Sequence, residues 1–181
     1  YPINLGSSNF TFNAGLSLSY EKYAFSDDSA RTLVYEPTLD GNEFSTNTQI
    51  VGIDSEIIGN GFVEKSKFET NYINLPIEFR YYLSESKRGN GGFFIAAGAS
   101  IGYLVTGKTK IKYVENEETK KIKRKENFEL NQFRYGAHVR VGIAGFGAFF
   151  KYDYSELFNP GKGPQNTGAT PVRFGLSFNL F

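Results

Sequence analysis

Six segments in which apolar and polar residues alternate, joined by connections that are by turns short and long, predict an all-β fold: an antiparallel up-and-down transmembrane β-barrel. A third observation points the same way. The non-apolar face of these segments mixes Gly and Ser with charges of both signs, which suits a narrow interior filled by ion pairs better than a water-exposed sheet face. Strand side chains point alternately to opposite faces, so each segment has one greasy face and one polar face. A soluble barrel would turn the greasy face inward; a transmembrane barrel turns it to lipid.

Composition narrows the function classes. The 181 residues suit one barrel domain over residues 1–181, and a net charge of +1 suggests no nucleic-acid partner. No cysteine is present, which excludes thiol catalysis, disulfides and thiolate-bound metals, and the single histidine, His138, leaves little for zinc. No cofactor is expected. The absence of Met, at position 1 and elsewhere, suggests a processed or trimmed chain, as after removal of a signal peptide. There is no run of 18 apolar residues, hence no spanning helix. The 18 Phe, 12 Tyr and 20 Gly suit strands with short turns.

The first strand is expected from about Asn9 to Phe25, with Phe10, Phe12, Leu16, Leu18 and Tyr20 on one face. Beyond Tyr20 the apolar parity moves to Tyr23 and Phe25. A bulge near Glu21–Lys22 would do this, or the strand has left the apolar layer. Residues 26–67 form a long polar extension. Within it, Thr32–Leu39 and Glu43–Asp54 flank an Asp-Gly turn and could pair as a hairpin outside the apolar layer. The second strand, about Phe68 to Leu83, puts Ile73, Leu75, Ile77 and Phe79 toward lipid and Glu78 and Arg80 inside. Pro76 cannot donate a ladder hydrogen bond and marks a break in its pairing.

A short polar turn at 84–92 leads to the third strand, Phe93 to about Gly107, with Ile95 and Ile101 toward lipid and the small residues Ala96, Gly98 and Ser100 inside. Residues 108–126 form a second, densely charged extension. Its basic run, Lys120 to Lys125, is read as a solvated hairpin tip in which Thr109–Val114 pairs with Lys120–Lys125. The fourth strand, about Asn127 to Ile143, directs Val139 and Val141 outward and Arg134, His138 and Arg140 inward. After a tight turn at Ala144-Gly145, the fifth strand (Phe146 to Ser155) turns Phe150 outward and Lys151 and Asp153 inward. The last, Val172 to Phe181, turns Phe174, Leu176 and Phe178 outward and Arg173 inward. Tyr81 and Tyr82 at the short-turn rim, with Tyr20, Tyr23, Tyr103, Tyr152 and Tyr154 at the other, are placed for interfacial girdles.

The interior residues Glu78, Arg80, Arg134, His138, Arg140, Lys151, Asp153 and Arg173 are expected to form a charge-compensated ion-pair network. Small residues on the third strand leave room for Glu78 to reach His138 or Arg140, and Asp153 is placed near Arg134 and Arg173. The sharper reading of the same residues is a catalytic Glu78–His138 pair with Ser100 as nucleophile. A membrane hydrolase should carry its triad at the lipid face or rim, where no such set exists, so no catalytic residue is expected.

The stretch Tyr72-Ile-Asn-Leu-Pro-Ile-Glu-Phe-Arg-Tyr-Tyr-Leu83 resembles a strand of the PorT-like outer-membrane barrels common in Bacteroidetes. So do the small-residue strand Phe94–Leu104, the Tyr-rich Phe150–Ser155 and the terminal Phe-Gly-Leu-Ser-Phe-Asn-Leu-Phe181, so that the likeness covers roughly residues 68–181. It implies an eight-stranded barrel in the bacterial outer membrane, with neither enzyme activity nor a shared ligand. Two departures stand out. Phe181 is out of register with Leu180, Phe178 and Leu176, and only six spanning strands are legible where single-chain bacterial barrels start at eight. A hairpin missing from the N-terminal side is preferred over completion of the barrel by Thr32–Asp54.

The sequence therefore predicts a non-enzymatic barrel, structural or accessory to a surface or secretion complex. Outer-membrane lipid surrounds it, and protein partners meet its long extracellular loops. The alternatives are a membrane enzyme acting on lipid or peptide, and a soluble lipocalin-like barrel with the apolar face inward.

Overall fold

The computed structural model describes residues 2–4, 9–25, 31–40, 43–53, 58–83, 92–143 and 145–178. The strands are β1 (Pro2–Asn4), β2 (Phe10–Ala14), β3 (Ser17–Ala24), β4 (Arg31–Asp40), β5 (Glu43–Gly52), β6 (Phe62–Tyr82), β7 (Phe93–Glu115), β8 (Glu118–Lys125), β9 (Phe133–Ile143), β10 (Phe146–Asp153) and β11 (Val172–Phe178). All pairings are antiparallel. Nine strands make one sheet in the order β1-β2-β6-β7-β9-β10-β11, with β3 beside β6 and β8 beside β7; β4 and β5 form a separate hairpin. The path does not close, because β11 pairs only with β10 among the described residues.

β2 and β3 act as one strand. Ala14 stands opposite Ile77 and Ser17 opposite Asn74, so no residue is gained or lost across Gly15 and Leu16. The interruption faces Pro76, which has no N–H for the ladder but still accepts the Gly15 N–H at 3.1 Å. The pairing of β3 with β6 then runs unbroken past Lys22 opposite Glu69, so no bulge lies at Glu21–Lys22. The apolar parity changes there because the strand has left the apolar layer. Tyr23 and Phe25 turn inward onto a core above it.

The register does shift elsewhere, at places where the sequence gives no turn signal. Leu104 faces Tyr72 while Thr106 faces Asn71, which leaves Val105 as an extra residue in β7. Beyond this bulge the buried positions of β7 become Gly107, Thr109, Ile111 and Tyr113. β7 therefore does not end near Gly107; it continues out of the barrel wall and turns back as β8. Thr109 pairs with Arg124 and Val114 with Thr119, giving the expected charged hairpin, one residue offset from the simplest reading. Similarly β6 begins at Phe62, and the fourth predicted strand is shorter, starting at Phe133 as β9.

The burial pattern is the reverse of a soluble fold. Leu18 is 80 % exposed, Leu75 59 % and Phe174 83 %, whereas Glu78 is 4 % exposed and Asp153 1 %. Ile73, Ile77, Phe79, Ile95, Ile101, Val139, Val141, Phe150, Leu176 and Phe178 share the exposed apolar face. A lipocalin-like barrel with its apolar face inward is thus overturned, because water would meet a continuous belt of large apolar side chains. The same parity corrects two girdle residues. Tyr82 points inward, where its hydroxyl accepts from Arg80 Nη1 at 3.1 Å, and Tyr23 stacks on Phe68.

Above one end of the belt lies an apolar cap of Leu33, Phe68, Phe128, Leu130, Leu157 and Phe158, with Tyr23, Phe25, Tyr35 and Leu104 packed against it. Phe128 and Glu129 both adopt left-handed backbone angles, φ 49° and 45°. Phe128 is fully buried in the cap while Glu129 points to the β4–β5 hairpin. That hairpin pairs Arg31 with Gly52 through Asp40 with Glu43 and, among the described residues, joins no other strand. Thr32–Asp54 therefore does not complete the barrel wall among the described residues. The expectations for the polar turn at 84–91, Ala144 and Phe181 fall outside the described residues.

Candidate functional site

The polar face gathers its charges by a device set in the strand registers. Glu78 on β6 stands opposite Gly98 on β7, which stands opposite His138 on β9. Because Gly98 has no side chain, residues two strands apart meet over it. Glu78 Oε1 accepts from Arg140 Nη2 at 2.6 Å and from Arg80 Nη2 at 3.0 Å; His138 Nε2 lies 3.4 Å from Glu78 Oε2. A Cβ at Gly98 would come within 2.8 Å of His138 Cε1. Arg80 also stacks over the Phe94 ring, 4.3 Å from its centroid.

Four residues along, the device repeats. Asn74, Gly102 and Arg134 lie in one row across β6, β7 and β9. Arg134 donates to Asn74 Oδ1 at 2.8 Å, Ser19 Oγ at 2.6 Å and Glu21 Oε1 at 2.5 Å, with its guanidinium 3.8 Å from the Tyr72 ring centroid. A third group forms on β10 and β11. Arg173 Nη2 donates to Asp153 Oδ2 at 2.5 Å, Lys151 Nζ is 3.7 Å from Asp153 Oδ1, and Arg173 Nε is 3.1 Å from Glu21.

The structure thus brings Glu78, Arg80, His138 and Arg140 together, and separately Lys151, Asp153 and Arg173. Arg134 does not meet Asp153; its carboxylate is Glu21, which it shares with Arg173. Glu21 is hidden in the sequence because the apolar parity changes at Glu21–Lys22. Unbroken alternation from Ser17 and Ser19 would have put it inside, where it supplies a third anion among five cations. Asn74, Ser19 and Tyr72 were missed for lack of charge.

A cavity of about 450 Å³ lies among these groups, bounded by Ser17, Glu21, Glu78, Ser100, Arg173 and Ser177. Ser100 Oγ has no hydrogen-bond partner among the described residues, so the Ser–His contact a triad needs is not formed. Glu78 is held more closely by Arg140 than by His138. Among the described residues no group of three or more His, Cys, Asp or Glu could hold a metal.

Outside the apolar belt, Glu69 lies beside Lys67 and Lys108 on the outward face of β6 and β7; Lys108 Nζ is 3.1 Å away. Burial pushes the Glu69 carboxyl up, but hydrogen bonds from Lys67, Tyr20 and Lys108 outweigh it and hold it at about 2. On the cap, Glu129 binds the β4–β5 hairpin to the loop after β10. It accepts from Thr46 Oγ1 at 2.6 Å, Asn159 Nδ2 at 3.0 Å and the Tyr35 hydroxyl at 3.4 Å. The backbone adds Thr48 N–H to Lys162 O at 2.9 Å.

Compared with known proteins, the chain matches over residues 1–157 the family model described as "Outer membrane protein beta-barrel domain". No curated protein and no solved structure matches it.

Proposed function

The chain belongs to the outer membrane protein beta-barrel domain family and resides in the bacterial outer membrane, and from that premise we propose a closed, non-enzymatic barrel that serves as a structural or accessory subunit of a surface or secretion complex. Eight strands are the expected closure. In barrels of that size the interior is just wide enough for side chains to fill. What supports this is that Glu21 of β3, which among the described residues pairs only with β6, and Arg173 of β11, at one end of the strand path, are 3.1 Å apart. Within the family, the Tyr72–Leu83 strand favours the PorT-like, Bacteroidetes branch.

One observation carries the functional reading: the interior is occupied by ion pairs and one end is covered by the apolar cap. Such a barrel conducts little. The parts that lipid anchoring leaves unexplained are the two extensions, β4–β5 and β7–β8, on the side of the long connections, which in this class of barrel is extracellular. Rigid scaffolds carry binding on such segments. The test is purification from native outer membranes in mild detergent. The wild-type chain is expected to bring a protein partner at fixed stoichiometry, and a variant with residues 31–52 replaced by a short turn is expected to lose it while staying folded. Purification of the wild-type chain alone would overturn the reading. A hydrolytic activity lost in His138→Ala would instead favour the enzyme.

A further inference from the structure

Beyond the Val105 bulge, β6, β7 and β8 form a three-stranded sheet whose two faces differ sharply. Ser66, Ile111 and Tyr113 are buried on one face, and Ile58, Ile53, Val63 and Ile122 pack there. The other face is built of lysine. Register aligns Lys67, Lys110 and Lys123 in one row and Lys65, Lys112 and Lys121 in the next. Nearer the apolar belt, Lys108 faces Lys125 on one side and Glu69 on the other, and Lys22 of β3 lies beyond Glu69.

Like charges directly opposite one another destabilise a sheet, and a solvated hairpin tip has no need of such rows. The acids nearby do not neutralise them. Glu69 takes Lys67 and Lys108, and Glu64 takes Lys112 at 2.6 Å. Among the described residues Lys65, Lys110, Lys121, Lys123 and Lys125 have no carboxylate within ion-pair distance. Lys110 is accordingly pushed below its ordinary value, by desolvation and by the charges of Lys67 and Lys123.

The position of this face names its ligand class. It continues the outward face of the wall. Going up β6 from Ile73 in the belt, Glu69 is four residues on and Lys65 eight. At roughly 3.3 Å per residue and a tilt near 45°, the lysine rows cover heights from about 9 to about 19 Å above Ile73. That is where lipid headgroups lie against a barrel, and lysines near an anionic surface are attracted to it. We propose that the lysine face of β6–β7–β8 binds the phosphate groups of phosphorylated lipids in the leaflet from which the hairpin rises. The proposal rests on the outer-membrane reading, with the long connections outward.

The test uses the full chain reconstituted in nanodiscs of phosphatidylcholine, with bis-phosphorylated lipid A or its dephosphorylated form added as probe. Insertion is checked first by the shift in gel mobility on heating. Wild type is expected to retain bis-phosphorylated lipid A at least tenfold better than the dephosphorylated form, an advantage that shrinks with salt. Lys110→Gln/Lys123→Gln should lose about tenfold or more of that binding and gain or keep thermal stability, since it relieves repulsion. The charge-matched Lys120→Gln/Lys162→Gln should bind as wild type.

Equal binding of the two lipid A forms, or equal losses in both double variants, would overturn the proposal while leaving the barrel intact. Failure to insert into bilayers at all would overturn the barrel reading itself. Inorganic polyphosphate that binds the detergent-solubilised chain and is not displaced by lipid A would assign the face to a soluble polyanion and overturn the lipid proposal.

Discussion

Glu78 neutralises more than one cation at once. Arg140 and Arg80 both donate to the same oxygen, and all three side chains are largely buried. Removing one partner from such a group leaves an uncompensated buried charge, which typically costs about 3–5 kcal/mol. Glu78→Gln is therefore expected to destabilise the detergent-solubilised barrel by such an amount, seen as a lower thermal unfolding midpoint. The double variant Glu78→Gln/Arg140→Gln should recover part of the loss. Additive losses in this cycle would mean that the pair is not coupled. At this scale the sequence was legible where parity alone decides direction: Glu78, Arg80, Arg134, His138, Arg140, Lys151, Asp153 and Arg173 lie on the polar face. It was less legible where a partner depends on depth. Arg134 takes Glu21 and not Asp153, although Asp153 stands opposite Gly136 on the neighbouring strand; alternation gives the face of a side chain but not which of two inward carboxylates it meets.

Among the elements, the β4–β5 hairpin illustrates both the reach and the limit of pattern reading. The Asp-Gly signal and two flanking runs gave the pairing. Its docking could not be read, because it depends on Glu129, in a segment expected to be strand but built as a left-handed turn. Burial raises the Glu129 carboxyl, but hydrogen bonds from Thr46, Asn159 and Tyr35 lower it further, so its folded value is depressed. A depressed carboxylate contributes stability that is present above its ordinary value and lost as pH falls through the depressed one. Hydrogen-exchange protection at Thr48 and its neighbours in β5, corrected for the intrinsic rate at each pH, should therefore fall below about pH 4, and Glu129→Gln should show the reduced protection already at neutral pH. If exchange in β5 is the same for both chains at every pH, Glu129 is not the latch.

For the molecule as a whole, the reversal of inside and outside followed from loop lengths and from the glycine-rich, mixed-charge face. The belt is continuous over β2, β3, β6, β7, β9, β10 and β11. A charge placed in it should cost according to depth: about 2–4 kcal/mol at the midplane and about 0–1 near the rim. Leu75→Arg, in the middle of the belt, is expected to fold into lipid vesicles with a clearly lower yield than wild type, and Tyr81→Arg near the wild-type level. Equal yields would mean that this face does not meet hydrocarbon. Strand number was harder to read, since it depends on closure and not on any local pattern.

The two glycines of β7 bear on how the barrel assembles. Gly98 and Gly102 are keyholes: Glu78 meets Arg140 and His138, and Asn74 meets Arg134, only when three strands lie in one register. Slipping β7 by one residue would turn both glycines to the lipid side and put Ala97 or Ala99 in the place of Gly98 and Ile101 or Tyr103 in the place of Gly102. Correct charge pairing thus depends on the register of three strands together, and a slip in any one of them leaves buried charges unmatched.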